Sequence, residues 1–207
     1  MTLIVVSLPR LFPIQSSDLP PENGSDKSAE KLGADSERSI RLLCGDEIVN
    51  IRVSDYLTGV VAAEMPVSFE PEALKAQSVA ARSYLQRAIN SPKHEGADIC
   101  ADASCCQAYL TSEQLRSSWG DKYEAYIKKI SDAVAATDGE YLSYDGAPAL
   151  AAFHSSSDGA TEDASALWSD VPYLKSVSSP ETGDSVPNFV STVERSELDF
   201  RDTILCL

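Results

Sequence analysis

The chain has few basic residues for its acidity. Its 207 residues include 17 Lys and Arg but 32 Asp and Glu, a net charge of -15. Binding to nucleic acid depends on clustered cationic side chains that displace counterions from the phosphates. The charge therefore argues against a nucleic-acid partner, but it does not argue against binding of a neutral ligand such as a glycan.

The sequence also lacks an apolar run long enough to span a membrane. Residues 1–14 are apolar, but Pro9, Arg10 and Pro13 interrupt them, and a spanning helix needs about 20 apolar residues. We interpret this segment either as the remnant of an anchor or signal whose basic start is missing, or as an ordinary apolar terminus. Residues 15–38 are acidic and rich in Ser and Pro, which predicts a disordered linker.

Residues 39–207 are predicted to form one domain, because 43% of the chain is hydrophobic and can bury a core. The pattern predicts an α+β fold, with mixed helices and short antiparallel strands around one core. The expected elements are a hairpin over 40–53, a helix ended by Pro66, a helix begun by Pro71, two helices separated by Gly120, and a second hairpin over 140–155 that turns at Asp145–Gly146.

Glu64 is the first candidate for chemistry. It follows Val60, Val61 and two alanines at the predicted C-terminal end of a helix, where the macrodipole disfavours a negative charge. Apolar surroundings raise the pKa of a carboxyl, and a carboxyl that is protonated near neutral pH suits a general acid. No second carboxylate lies at helical spacing, so Glu64 would act alone as acid and then base. The alternative is a solvent-facing glutamate.

The five cysteines are an odd number, which argues against a framework made only of disulfides. Three of them follow His94 in the pattern H-x5-C-x4-C-C, at Cys100, Cys105 and Cys106. Three thiolates and an imidazole suit a structural zinc site. Two alternatives remain open: three protein ligands (His94, Cys100, Cys106) with water, or a disulfide from Cys100 to either neighbour.

A loop rich in hydroxyl groups follows the second hairpin, from His154 to Glu162. It lacks the G-x-S-x-G elbow of a serine nucleophile, so hydrogen bonding to a sugar or a simple turn is the better interpretation.

Three ordered motifs together carry a family resemblance across residues 39–195. They are VSDYLTGVVAAEMPVSFEPEALKAQSVAARSYLQRAI at 53–89, HEGADICADASCCQAY at 94–109, and AAFHSSSDGATEDASALWSDVPYLKSVSSP at 151–180. The chain resembles the stage II sporulation protein D family, peptidoglycan lytic transglycosylases of endospore-forming bacteria that act during engulfment. The resemblance implies an extracytoplasmic, membrane-anchored protein. From the resemblance we expect the C-terminal part of the family domain to be missing from this sequence.

The resemblance implies roles for individual residues. Glu64 matches the catalytic glutamate of the family's A-x-E-M-P motif, and His94, Cys100 and Cys106 match three ligands of a structural Zn(II). Cys105 stands where the family usually has His, which makes it the least certain ligand. Asp158 replaces a glycine of the family's serine loop.

The implied reaction cleaves the bond between N-acetylmuramic acid and N-acetylglucosamine in glycan strands and leaves a 1,6-anhydro product. The residues proposed to contact the glycan are Gln77, Gln107, Ser155, Ser156 and Thr161. Relatives of the family include amidase enhancers, so a non-catalytic wall-binding module that stimulates a partner amidase is the second hypothesis. An inactive truncated fragment is the third. Other engulfment proteins are further expected partners.

Overall fold

The computed structural model describes residues 34–157, 159–167, 169–179 and 181. The chain divides into two compact units, residues 1–155 and 156–207. The strands are β1 (Ser39–Cys44), β2 (Glu47–Arg52), β3 (Ile99–Cys100), β4 (Ser143–Tyr144) and β5 (Ala147–Pro148). The helices are α1 (Val53–Glu64), α2 (Pro71–Asn90), α3 (Ser112–Trp119), α4 (Tyr123–Ala136) and α5 (Ala164–Leu167).

A small sheet begins the first unit. β1 and β2 form the predicted hairpin, which turns through Gly45 at a positive φ of 61°. β3 then pairs with β1 in parallel, which gives the strand order β2-β1-β3. β3 contains Cys100, the second residue of the His/Cys motif. The sheet therefore anchors the middle of the His/Cys motif, at Cys100, to the core.

The three longest helices, α1, α2 and α4, pack against one another in pairs. Pro71 occupies the first turn of α2, where its missing N–H has no intrahelical acceptor to lose. Pro66 follows the end of α1 by two residues, as predicted. The side chains that these helices and the sheet bury together include Leu42, Leu57, Leu74, Leu85, Ile99 and Ile130.

A charged side chain is buried inside this packing. Arg82 on α2 is fully buried, and its Nε and Nη2 lie 2.8 and 2.7 Å from Oδ2 of Asp35. Its other donors reach the carbonyl oxygens of Val134 and Glu140 and the hydroxyl of Thr137. Because Asp35 is packed, the folded part of the chain extends upstream of the boundary expected at residue 39, into the predicted linker. Residues 1–33 lie outside the described residues.

The α+β fold class is confirmed, with two differences in detail. The second hairpin is much shorter than expected, since β4 and β5 are two residues each and no strand continues through residues 149–155. Pro148 cannot donate a ladder hydrogen bond, and the alanines after it have low strand propensity. Asp145 and Gly146 do form the predicted turn, at positive φ. The pairing of β1 with β3 is parallel rather than antiparallel.

In the second unit, the serine-rich loop pairs with the stretch around Val177. The backbone N–H of Thr161 donates to the carbonyl of Val177, and Ala160 bridges to Ser178. Asp158 and Trp168 lie outside the described residues. No helix in the described part of the chain has the length and apolar character needed to cross a membrane.

Replacing Asp35 with Asn tests the buried ion pair. We expect the variant Asp35→Asn to lose about 3 to 5 kcal/mol of unfolding free energy, because it leaves the Arg82 charge buried without its counter-charge. Urea unfolding followed by circular dichroism measures the change. The control is Asp46→Asn in the exposed hairpin turn, where we expect almost no change. Equal losses for both variants would contradict a special role of the ion pair.

Candidate functional site

Glu64 is the last residue of α1, and its side chain is buried, with 8% of the residue exposed. Its neighbours Val60, Val61 and Met65 are buried as well. Burial raises the pKa of Glu64 above its usual value, and a hydrogen bond from the N–H of Ala108 opposes this shift. The expectation of a buried carboxyl with a raised pKa is confirmed, and the solvent-facing alternative is wrong. The catalytic role of Glu64 remains a prediction.

The stretch from Cys106 to Leu110, here called the docking segment, packs along α1. The N–H of Ala108 lies 3.3 Å from Oε1 of Glu64, and the hydroxyl of Tyr56 lies 3.1 Å from Oε1 of Gln107. The ring of Tyr109 stacks on Tyr56 at 5.8 Å between centroids and 15° between planes. The docking segment therefore follows α1 from Tyr56 to Glu64 and supplies the hydrogen-bond donor that contacts the carboxylate.

Gly59 makes this close approach possible. A Cβ at position 59 would lie 2.4 Å from Cε2 of Tyr109 and 2.7 Å from the carbonyl oxygen of Leu110. The carbonyl of Gly59 also accepts a hydrogen bond from the N–H of Leu110 at 3.3 Å. Only a residue without a side chain leaves room for the docking segment on this face of α1.

The His/Cys motif forms a compact cluster. The candidate ligand atoms of His94, Cys100, Cys105 and Cys106 all lie within 4.8 Å of one another. Nε2 of His94 is 3.5 Å from Sγ of Cys105 and 3.8 Å from Sγ of Cys106, and the two sulfurs are 3.9 Å apart. Tetrahedral zinc with its usual bond lengths separates such ligands by about 3.6 to 3.8 Å. The spacing and the donor set therefore fit a four-ligand metal site.

The alternatives to four ligands fit less well. Cys100, Cys105 and Cys106 are free thiols, so the structure does not contain the disulfide from Cys100 to either neighbour. Cys105, the ligand that departs from the family pattern, lies nearest to His94 of the two adjacent cysteines. The cluster could hold a metal with all four residues.

Local backbone contacts bring the two adjacent cysteines to the same side. The N–H groups of Cys105 and Cys106 both donate to the carbonyl of Asp102, which closes a tight turn, and Lys93 donates to the carbonyl of Cys105 at 2.6 Å. Cys100 is held by the pairing of β3 with β1. Sequence alone does not reveal this turn, which overcomes the tendency of successive side chains to diverge.

The residues predicted to contact glycan are distributed over both units. Gln77 on α2 and Gln107 in the docking segment are each 5% exposed, and the Nε2 of each is buried without a partner among the described residues. Ser156 donates to Oε2 of Glu181, and the hydroxyl of Thr161 accepts from the N–H of Val177. Ser155 is half-buried in the stretch that follows β5. Glycan contacts of all five residues remain predictions.

Tyr56, which contacts Gln107, and the backbone of Ala108, which contacts Glu64, are not among the predicted site residues. Tyr56 precedes Glu64 by two helical turns and so shares its face of α1, a signal that helical spacing could have revealed. The N–H of Ala108 carries no signal in its side chain. Only the structure shows which backbone donor reaches Glu64.

Comparisons with known proteins identify the family of the chain. A family model described as stage II sporulation protein matches residues 45–144, which include Glu64 and the whole cluster. The chain is 41% identical over 189 residues to stage II sporulation protein D of Bacillus subtilis (strain 168), covering 87% of this chain and 54% of that protein. The chain belongs to the stage II sporulation protein D family.

Two other similarities help to describe this member of the stage II sporulation protein D family. It is 42% identical over 161 residues to stage II sporulation protein D of Bacillus amyloliquefaciens, covering 76% of this chain and 46% of that protein. It is 36% identical over 144 residues to an amidase enhancer of Bacillus subtilis (strain 168), covering 69% of this chain and 17% of that protein. The chain thus spans about half the length of the curated stage II sporulation proteins D that it matches.

The raised pKa of Glu64 has a consequence for stability. A carboxyl whose pKa is raised on folding keeps its proton in the native state after the unfolded state has lost it, so the unfolding free energy falls as the pH rises between the two values. Glu64→Gln removes this contribution. We therefore expect the unfolding free energy of the variant, minus that of wild type, to increase from about pH 4, near the pKa of a free glutamate, to neutral pH. Urea unfolding across this range tests it, and parallel curves for the two proteins would contradict the burial of an ionisable Glu64.

Proposed function

We propose that this protein is a peptidoglycan lytic transglycosylase in which Glu64 is the single acid/base. The observation that carries the proposal is a carboxyl buried at the end of α1, with a raised pKa and one backbone donor on Oε1. Membership of the stage II sporulation protein D family and the similarity to an amidase enhancer support a role at the cell wall.

The chemistry uses one carboxyl twice. Glu64 first donates its proton to the glycosidic oxygen, and the bond from that oxygen to C1 of the muramoyl residue breaks. The carboxylate then removes the proton of the muramoyl C6 hydroxyl, whose oxygen bonds to C1 and forms the 1,6-anhydro ring. The nucleophile belongs to the substrate, so neither water nor the second carboxylate of an ordinary glycosidase is needed.

The surroundings of Glu64 suit this double use. Among the described residues, no acidic side chain contributes to its raised pKa. Desolvation keeps the proton on the carboxyl until it is donated, and the N–H of Ala108 stabilises the carboxylate that follows. Opposing effects on the two protonation states keep the pKa within reach of both steps.

For the cluster we propose a structural Zn(II) held by His94, Cys100, Cys105 and Cys106. Bound zinc would supply positive charge that compensates the three thiolates and would cross-link their loop. Cys106 is also the first residue of the docking segment, so its ligation would hold that segment next to α1. The protein's own residues, and not the metal, carry out the proton transfers proposed here.

The family and the composition also support a setting and partners. We propose an extracytoplasmic, membrane-associated protein that acts on glycan strands during engulfment, together with an amidase and other engulfment proteins. The negative charge of the chain means that glycan binding would rely on hydrogen bonds and shape rather than on attraction to anionic wall polymers.

Glu64→Gln tests the proposed reaction. We expect the activity of the variant to fall by a factor of about 10² to 10⁴, because the amide cannot exchange the proton. Digested glycan strands are analysed by mass spectrometry for 1,6-anhydro products, with Glu72→Gln on the exposed start of α2 as the matched control. Active Glu64→Gln protein, or wild-type products without the anhydro ring, would rule the proposal out.

A wall-binding module is the second candidate, favoured by the match to an amidase enhancer over 69% of this chain. In that case the wild-type protein binds purified glycan strands and stimulates an amidase but releases no anhydro product. Glu64→Gln then leaves both binding and stimulation unchanged.

The proposed zinc site predicts one metal ion per chain. We expect Cys105→Ala to weaken metal binding strongly, because it removes one of four ligands, whereas Cys44→Ala, a free cysteine outside the cluster, leaves it unchanged. Replacement by Co²⁺ gives the tetrahedral thiolate spectrum whose intensity reports the number of sulfur ligands. Equal spectra for wild type and Cys105→Ala would contradict ligation by Cys105.

A further inference from the structure

Tyr56 lies on α1 eight residues before Glu64, so both side chains lie on one face of the helix. The residue is fully buried, and its hydroxyl donates to Oε1 of Gln107 at 3.1 Å. The proposed reaction gives Tyr56 no role, because nothing in its position lets the hydroxyl reach substrate directly.

The hydrogen bond from Tyr56 has a fixed direction. Burial is the main cause that raises the pKa of Tyr56 well above its usual value, so the hydroxyl stays protonated and acts as a donor. Gln107 is itself buried, and no other donor to its Oε1 is found among the described residues. Loss of the hydroxyl would leave a buried carbonyl oxygen unsatisfied, a strong restraint on where this side chain sits.

The position of Gln107 also determines the position of the N–H group that donates to Glu64. The N–H of Ala108 belongs to the planar peptide group that joins Gln107 to Ala108, so its direction follows the backbone of Gln107. The contact from this N–H to Oε1 of Glu64 is long, at 3.3 Å, and is too weak to hold a loop by itself. Its geometry must be imposed by the neighbouring anchors.

We propose that Tyr56 is a positioning residue for Glu64. Its hydroxyl holds the Gln107–Ala108 peptide so that the N–H of Ala108 donates to Oε1 of Glu64. Oε2 of Glu64 is then the oxygen that carries and exchanges the proton. An oxygen that accepts an N–H hydrogen bond is the less favourable site for the acidic proton. The assignment rests on the proposed function of Glu64, and it names the oxygen atom and the restraint that the proposed function leaves open.

Tyr56→Phe removes one oxygen atom and keeps the ring that stacks on Tyr109. We expect kcat to fall about tenfold with KM changed less than about twofold, because a misplaced acid/base affects the transition state more than substrate binding. Tyr126→Phe, the same change at a half-buried residue of α4 that packs on Trp119, is the control, and we expect it to retain full activity. A fall no larger than that of the control overturns the proposal.

Gln107→Leu approaches the same hydrogen bond from its other partner. If the two residues act through one bond, the double variant loses no more activity than the more affected single variant, since the second change removes nothing further. Additive losses overturn the proposal. This cycle also guards against a packing defect that is specific to one variant.

A readout independent of activity is the titration of the Glu64 carboxyl carbon by NMR in the full metal-loaded chain. We expect Tyr56→Phe to raise the pKa of Glu64 further, because the N–H that donates to the carboxylate is no longer held in place. The other titratable groups that act on Tyr56, namely Tyr84, Cys100 and Cys106, are unchanged in the variant. An unshifted titration overturns the proposal. A shift in a protein that releases no anhydro product supports the positioning role while the proposed function fails.

Discussion

The first unit depends on the ion pair and hydrogen bonds of the buried Arg82 guanidinium. One side chain on α2 binds Asp35 in the segment before β1, two carbonyls and a hydroxyl in and after the last turn of α4. The carbonyl of Asp35 in turn accepts from the N–H of Ser54 at the start of α1. A buried charge is tolerated only when it is fully paired. The segment before β1 and the end of α4 must therefore both pack against Arg82, and these contacts fix the positions of the three long helices.

The candidate site is built on that frame from two sides. On one side α1 supplies Tyr56, Gly59 and Glu64 along one face. On the other, the docking segment continues directly from a cluster cysteine, so its start belongs to the His/Cys loop and its remainder to the surface of α1. A carboxyl that must be buried and still accept a hydrogen bond needs a rigid neighbour, and this arrangement provides one with backbone atoms rather than a second side chain.

Local patterns in the sequence predict much of this architecture, and long-range pairing explains what they miss. The helices, the first hairpin and the Asp145–Gly146 turn follow from periodicity, Pro and Gly. The apolar neighbours of Glu64 indicate burial but leave a solvent-facing side chain open, and the spacing indicates the grouping of His94 with three cysteines.

Other features depend on partners that are distant in the chain. The parallel pairing of β3 with β1, the packing of Asp35 against Arg82 and the N–H of Ala108 on Glu64 leave no local pattern. The second hairpin is overpredicted because a strong turn signal does not ensure that the alanines beyond Pro148 extend the strands. The turn at Asp102 that aligns Cys105 with Cys106 is a backbone feature, which composition cannot reveal.

The compact His/Cys cluster differs from the rest of the site in its reach along the chain. His94 and Cys106 are twelve positions apart, so closing this loop costs little conformational entropy, whereas Arg82 and Asp35 are separated by 47 positions. Apart from Cys100, which depends on the pairing of β3 with β1, the cluster therefore brings together a shorter stretch of chain than the ion pair does. Gly59 is thus the position where the segment that follows this short loop packs on α1, a helix whose own position depends on contacts far apart in the chain.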